Sequence, residues 1–152
     1  MKTTMRFASL AMMLLVAVPW GNAQAEADKG LQLTARATKV INGFETELRG
    51  DYREQNGPSR LNIQLEKVNL PLGTPVAFCV MHAGVNTMVG IGKVATVAGS
   101  PTATIELEAK DGDVVPKVNL KDVLQARQRP VAPFNPNPTC GAALLISAPF
   151  LQ

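Results

Sequence analysis

From Phe44 to Arg53 the chain alternates without a break. Phe44, Thr46, Leu48, Gly50 and Tyr52 fall on one side, and Glu45, Glu47, Arg49, Asp51 and Arg53 on the other. Successive side chains of an extended chain point to opposite faces, so this segment can bury one face and solvate the other. The pattern therefore predicts a half-buried β-strand, and the rest of the chain repeats the theme. Leu31, Leu33, Ala35 and Ala37 alternate with polar partners, and Leu61, Ile63 and Leu65 do so after the turn residues Gln55-Asn56-Gly57-Pro58. Val76 to Met81 is continuously apolar, as befits a strand covered on both faces. Val89 to Val97 follows, with Gly90 and Gly92 permitting a bulge or a close approach. Ala103, Ile105, Leu107 and Ala109 form another alternating strand, Asp111-Gly112-Asp113 a turn, Val114 to Val118 an extended stretch, and Ala142 to Ile146 a closing strand.

Residues 119–128 fit either a short helix capped by Asn119 or a strand from Val123 to Arg127, and the β neighbours favour the strand. The tetrapeptide Lys67-Val68-Asn69-Leu70 recurs as Lys117-Val118-Asn119-Leu120, each time before a strand. Seven to eight short strands separated by turns predict an all-β fold, an antiparallel β-sandwich or small barrel.

The first 25 residues read as a cleaved secretory signal peptide: Lys2 and Arg6, an apolar run from Phe7 to Val18, then Ala23-Gln24-Ala25 as the small-x-small site. That run of about a dozen residues is short of the ~20 needed to span a bilayer. The expected mature chain, 26–152, is one domain with a Pro-rich loop at 129–141, periplasmic or secreted, and without an integral membrane segment. Its 13 basic and 12 acidic side chains are interleaved, so no basic stripe is offered to nucleic acid. Five aromatics, Phe44, Tyr52, Phe78, Phe134 and Phe150, are too few for the two girdles of an outer-membrane barrel.

Cys79 and Cys140 are the only cysteines. In an oxidising compartment an even pair predicts a disulfide, here closing a loop of about 60 residues worth roughly 4 kcal/mol in chain entropy. Free thiols are the alternative.

Leu65, Val68, Leu70-Pro71-Leu72-Gly73-Thr74, Ala103, Ile105, Leu107, Asp111 to Val118, Asp122-Val123-Leu124 and the terminal Leu144 to Phe150 together resemble a group of small exported bacterial β-domains with no assigned activity. The resemblance covers about half of the mature chain and implies a β-sandwich, but no reaction. Lys121 and Ala148 stand where that pattern has glycine, and loop 129–141 is an addition to it.

The chemistry-bearing residues are few. His82 is the single histidine. With Cys79 and Met81 it could form a soft copper site, the basis of an alternative reading as a periplasmic metal-binding or redox protein. On a strand, however, Cys79 and Met81 share a face that His82 does not, and a blue-copper centre wants two histidines. No serine lies in a Gly-x-Ser-x-Gly context. Asp111 and Asp113 supply too few oxygens for calcium, and Arg49-Gly50-Asp51 lies inside a strand, not at a loop tip. Loop 129–141, with Pro133, Phe134, Asn135 and Asn137, is the expected recognition element, since loops on a rigid scaffold commonly carry binding. The sequence thus points to a non-enzymatic, cofactor-free binding or structural accessory module, whose partner, a protein or a small molecule, is unknown.

Overall fold

The computed structural model describes residues 30–55, 57–128, 140 and 143–152. They form nine strands: β1 (Leu31–Ile41), β2 (Phe44–Glu54), β3 (Arg60–Glu66), β4 (Pro75–His82), β5 (Val85–Lys93), β6 (Ala95–Val97), β7 (Ser100–Glu108), β8 (Val123–Gln128) and β9 (Leu144–Leu151). All neighbours are antiparallel, in the order β5-β4-β8-β9-β1-β2-β3-β7-β6, and the single sheet curls into a half-barrel. A 3₁₀ turn, Ala109–Asp111, is the only helical piece among the described residues. The expected leader, residues 1–25, lies outside them.

Alternation places the core. Along β2, Thr46, Leu48 and Gly50 are buried and Tyr52 is 1% exposed, while Arg49 and Glu47 pair on the outer face at 2.8 Å. Phe44 departs from the expectation: it sits beside the Asn42-Gly43 hairpin turn, past the end of the core, and is exposed. Leu33, Leu61, Ile63, Leu65, Phe78, Leu124 and Phe150 are fully buried. Each such side chain contributes about 1.5–3 kcal/mol relative to exposure. The inward Thr46 is reconciled with the core by donating its hydroxyl to the Lys67 carbonyl at 3.3 Å.

Two glycines let the halves of the curled sheet close on each other. A Cβ at Gly50 would stand 2.6 Å from Leu124 Cδ2 and 3.3 Å from the Phe150 ring, so β2 lies against β8 and β9 where glycine leaves room. A Cβ at Gly92 would stand 3.0 Å from the Thr104 carbonyl oxygen, bringing β5 up to β7, two strands that are not hydrogen-bonded neighbours. The predicted close approach at Gly90 and Gly92 is thus present, as is a bulge: the β4–β5 register shifts between Phe78 and Cys79.

The strand count exceeds expectation because Val89 to Val97 divides. Val94 leaves the ladder; its N–H reaches the Thr74 carbonyl at 3.0 Å and its own carbonyl accepts from Gly73 at 2.8 Å. Residues 123–128 are strand, the favoured alternative. Strand β9 starts later and runs further than expected, and Val114 to Val118 joins no strand.

The repeated tetrapeptide has a common use. Each copy lies in a connection that crosses between the two halves, β3 to β4 and β7 to β8, and these crossings lie at opposite ends of the half-barrel. Val68 and Val118 are both fully buried, so each connection inserts one valine as a plug. Just after the second plug, Lys121 takes φ +72°, a left-handed conformation that favours glycine.

Candidate functional site

The β2–β3 hairpin and the turn after β7 meet at one end of the half-barrel. Register pairs Arg53 with Arg60, and Arg60 in turn with Glu108. All three belong to the outer face, since Tyr52 and Leu61 beside them point inward. The 3₁₀ turn that follows Glu108 is fixed to the hairpin: the Ala109 N–H donates to the Ser59 carbonyl at 2.9 Å, and the Glu108 N–H donates to Asp113 Oδ2 at 3.0 Å. Gly112, at φ +90°, turns the chain away, as Asp111-Gly112-Asp113 predicts.

Between these two turns lies a cavity of about 210 Å³ bordered by Arg53, Gln55, Pro58, Ser59, Arg60, Glu108 and Lys110. Three cations and one carboxylate therefore surround it. Arg60 binds Glu106 and reaches Glu108 at 3.1 Å, and Lys110 binds Glu108 from the other side. The Lys110 ammonium holds the Glu108 carboxyl below the usual carboxylate range and is itself raised in return. Arg53 forms no ion pair among the described residues. The cluster has no motif signature in the sequence, although the turn at 55–58 combined with strand alternation sets Arg53 opposite Arg60.

A second polar group occupies the same end of the half-barrel. His82 Nδ1 lies 2.6 Å from Asp122 Oδ1, where β4 ends and β8 is about to begin. Asp122 is 5% exposed, and its other oxygen accepts the Asn119 backbone N–H at 2.8 Å and the Asn119 amide at 3.2 Å. Burial raises the Asp122 carboxyl, but the hydrogen bonds from His82 and Asn119 outweigh it and leave the group below its ordinary value. A carboxylate can only accept, so His82 carries its hydrogen on Nδ1 when Asp122 is ionised. The His82 side chain is 65% exposed.

Cys79 and Cys140 are joined, with Cα atoms 6.1 Å apart. The bridge lies on the outer face of β4, where Ala77 and Cys79 are nonetheless fully buried. The expected copper ligands are therefore not brought together: the Cys79 sulfur is in the disulfide, Met81 shares its face and lies 3.9 Å from the Gln125 amide, and His82 turns to Asp122. No group of three or more His, Cys, Asp or Glu able to hold a metal occurs among the described residues. The proposed recognition residues Pro133, Phe134, Asn135 and Asn137 lie outside the described residues; Cys140, at the end of that loop, is tied to β4. No helix of the described residues is long and apolar enough to cross a membrane. Comparison with family models, curated proteins and solved structures finds no match for this chain.

Proposed function

We propose that the chain is exported and works outside the cytoplasm as a non-enzymatic binding or structural accessory module, built on a sandwich-like β-scaffold. The Cys79–Cys140 bridge carries this reading. Disulfides form and persist in oxidising compartments, and residues 1–25 have the composition of a leader that delivers a chain to one. The bridge also commits both cysteines to structure, leaving no thiol nucleophile. His82, the one histidine, is turned to Asp122, whose remaining oxygen is taken by Asn119. The opposed packing of β2 on β8 and β9 supports the sandwich-like description.

Expression with the leader, fractionation and intact-mass measurement test the proposal. The expected product is found outside the cytosol, lacks residues 1–25 and is two hydrogens lighter than the reduced chain. Recovery from the cytosol with the leader intact overturns export. Hydrolytic turnover that His82→Ala abolishes overturns the non-enzymatic reading.

A further inference from the structure

We infer that the cavity between the β2–β3 hairpin and the Ala109–Asp111 turn is a binding site for a small oxyanion, a phosphate or carboxylate group, with Arg53 as its principal ligand. This deepens the binding-module reading and rests on it.

The register supplies the first argument. Arg53 and Arg60 are directly opposed on adjacent strands, and like charges in that relation destabilise a sheet. Arg60 is compensated by Glu106 and Glu108, and Lys110 by Glu108, but Arg53 has no carboxylate partner among the described residues. On the same outer face the neighbouring arginine, Arg49, is paired with Glu47 at 2.8 Å and reaches Glu66 at 3.8 Å. Arg36, opposed to Arg49, also lacks an ion pair among the described residues, but of the two only Arg53 borders the cavity.

Size and chemistry supply the second. At about 210 Å³ the cavity is below the ~300–1,000 Å³ of sites that enclose drug-sized ligands, so it accommodates one small group. Guanidinium presents a planar fork that matches two oxygens of a carboxylate or phosphate, and Ser59 and Gln55, residues able to donate hydrogen bonds, line the same space. The backbones of the two turns are joined by the Ala109-to-Ser59 hydrogen bond, which fixes the walls of the cavity relative to each other. Glu108 shows the site's preference: it is an internal carboxylate already held between Arg60 and Lys110. A ligand oxyanion placed against Arg53 would complete the pattern, leaving three cations facing two anions.

The test is a nuclear magnetic resonance titration of the disulfide-bonded protein at low salt, with inorganic phosphate in one arm and acetate in the other. Saturable shifts of the Gln55, Ser59 and Lys110 amides are expected, and the arm that saturates at the lower concentration identifies the oxyanion. Arg53→Lys keeps the charge but loses the fork, and should weaken binding about three- to tenfold. Glu108→Gln removes the competing carboxylate and should tighten it. Lys93→Met, which removes a charge at the opposite end of the half-barrel, should leave binding unchanged. Shifts that never saturate in either arm, or saturable binding that Arg53→Lys leaves unaltered, overturn the inference. The fractionation and turnover measurements report on export and catalysis independently, so failure here is distinguishable from failure there.

Discussion

Gly50 offers the sharpest test of how the two halves of the sheet are held together. Replacing it with alanine adds one methyl group, and two effects of opposite sign compete. Its backbone does not occupy the left-handed region, so alanine fits the strand and restricts the unfolded chain, a gain of about 0.4–1 kcal/mol. Against this, the new Cβ would stand 2.6 Å from Leu124 Cδ2 and 3.3 Å from two atoms of the Phe150 ring. Carbon atoms pack best at roughly 3.5–4.0 Å, so the Leu124 contact is too close by about 1 Å. Leu124 and Phe150 are both fully buried and have no solvent to move into. Overpacking of this kind costs about 1–3 kcal/mol, and the net expectation is a loss of about 1–2 kcal/mol. Urea unfolding with the disulfide intact should show a lower midpoint and an unchanged slope. Leu124→Ala alone should cost about 2–5 kcal/mol. In the double variant the added methyl occupies space vacated by Leu124, so the two losses should fall short of additive by about 0.5–3 kcal/mol. A Gly50→Ala protein as stable as the parent, or losses that simply add, would refute the proposed packing.

Other consequences can be measured in the same way. Replacing both cysteines with alanine opens a link across 61 residues of sequence and should cost about 4 kcal/mol, read as a lower urea midpoint. Asp122 binds its proton more weakly when folded than when unfolded, so its contribution is present above the ordinary carboxylate range and is lost as pH falls through the depressed folded value. Stability of the parent should therefore decline on acidification, and Asp122→Asn should flatten that decline; an unchanged pH profile counts against the His82–Asp122–Asn119 arrangement. At neutral pH, Asp122→Ala should cost about 1–3 kcal/mol by calorimetry. Val68→Ala and Val118→Ala should each cost about 1.5–3 kcal/mol, with similar losses at the two ends if both valines are plugs.

What could be read in advance, and what could not, divides along local and non-local lines. The alternation in Phe44–Arg53 and Ala103–Ala109 depends only on neighbouring residues, and both segments are strands except for Ala109, which opens the 3₁₀ turn. The disulfide that the even cysteine count predicts is present. The split at Val94 was hidden because it depends on hydrogen bonds to Gly73 and Thr74, some twenty residues away. Val85 to Thr87 belongs to β5, but its polar Asn86 and Thr87 weaken the apolar signal. Gly50 looks like a gap in an otherwise regular pattern, and its value is visible only when Leu124 arrives from the opposite half. Likewise, nothing local links His82 to Asp122, 40 residues apart; the β4–β8 register brings them together. The Arg53–Arg60 pair is the exception: hairpin geometry alone implied it, yet charge alternation on a solvated face masked it.

The pairing of β1 with β9, Thr34 opposite Leu151 and Ala35 opposite Phe150, joins the first strand to the last. As the polypeptide is made, β1, β2 and β3 can associate early, but the sheet stays divided until its final residues appear. Such distant pairings must bear the entropy of closing a long loop before they gain anything, which makes them slow to form. The hairpins on either side can form as they are made, but the seam that unites the two halves waits for β9, the last strand of the described residues.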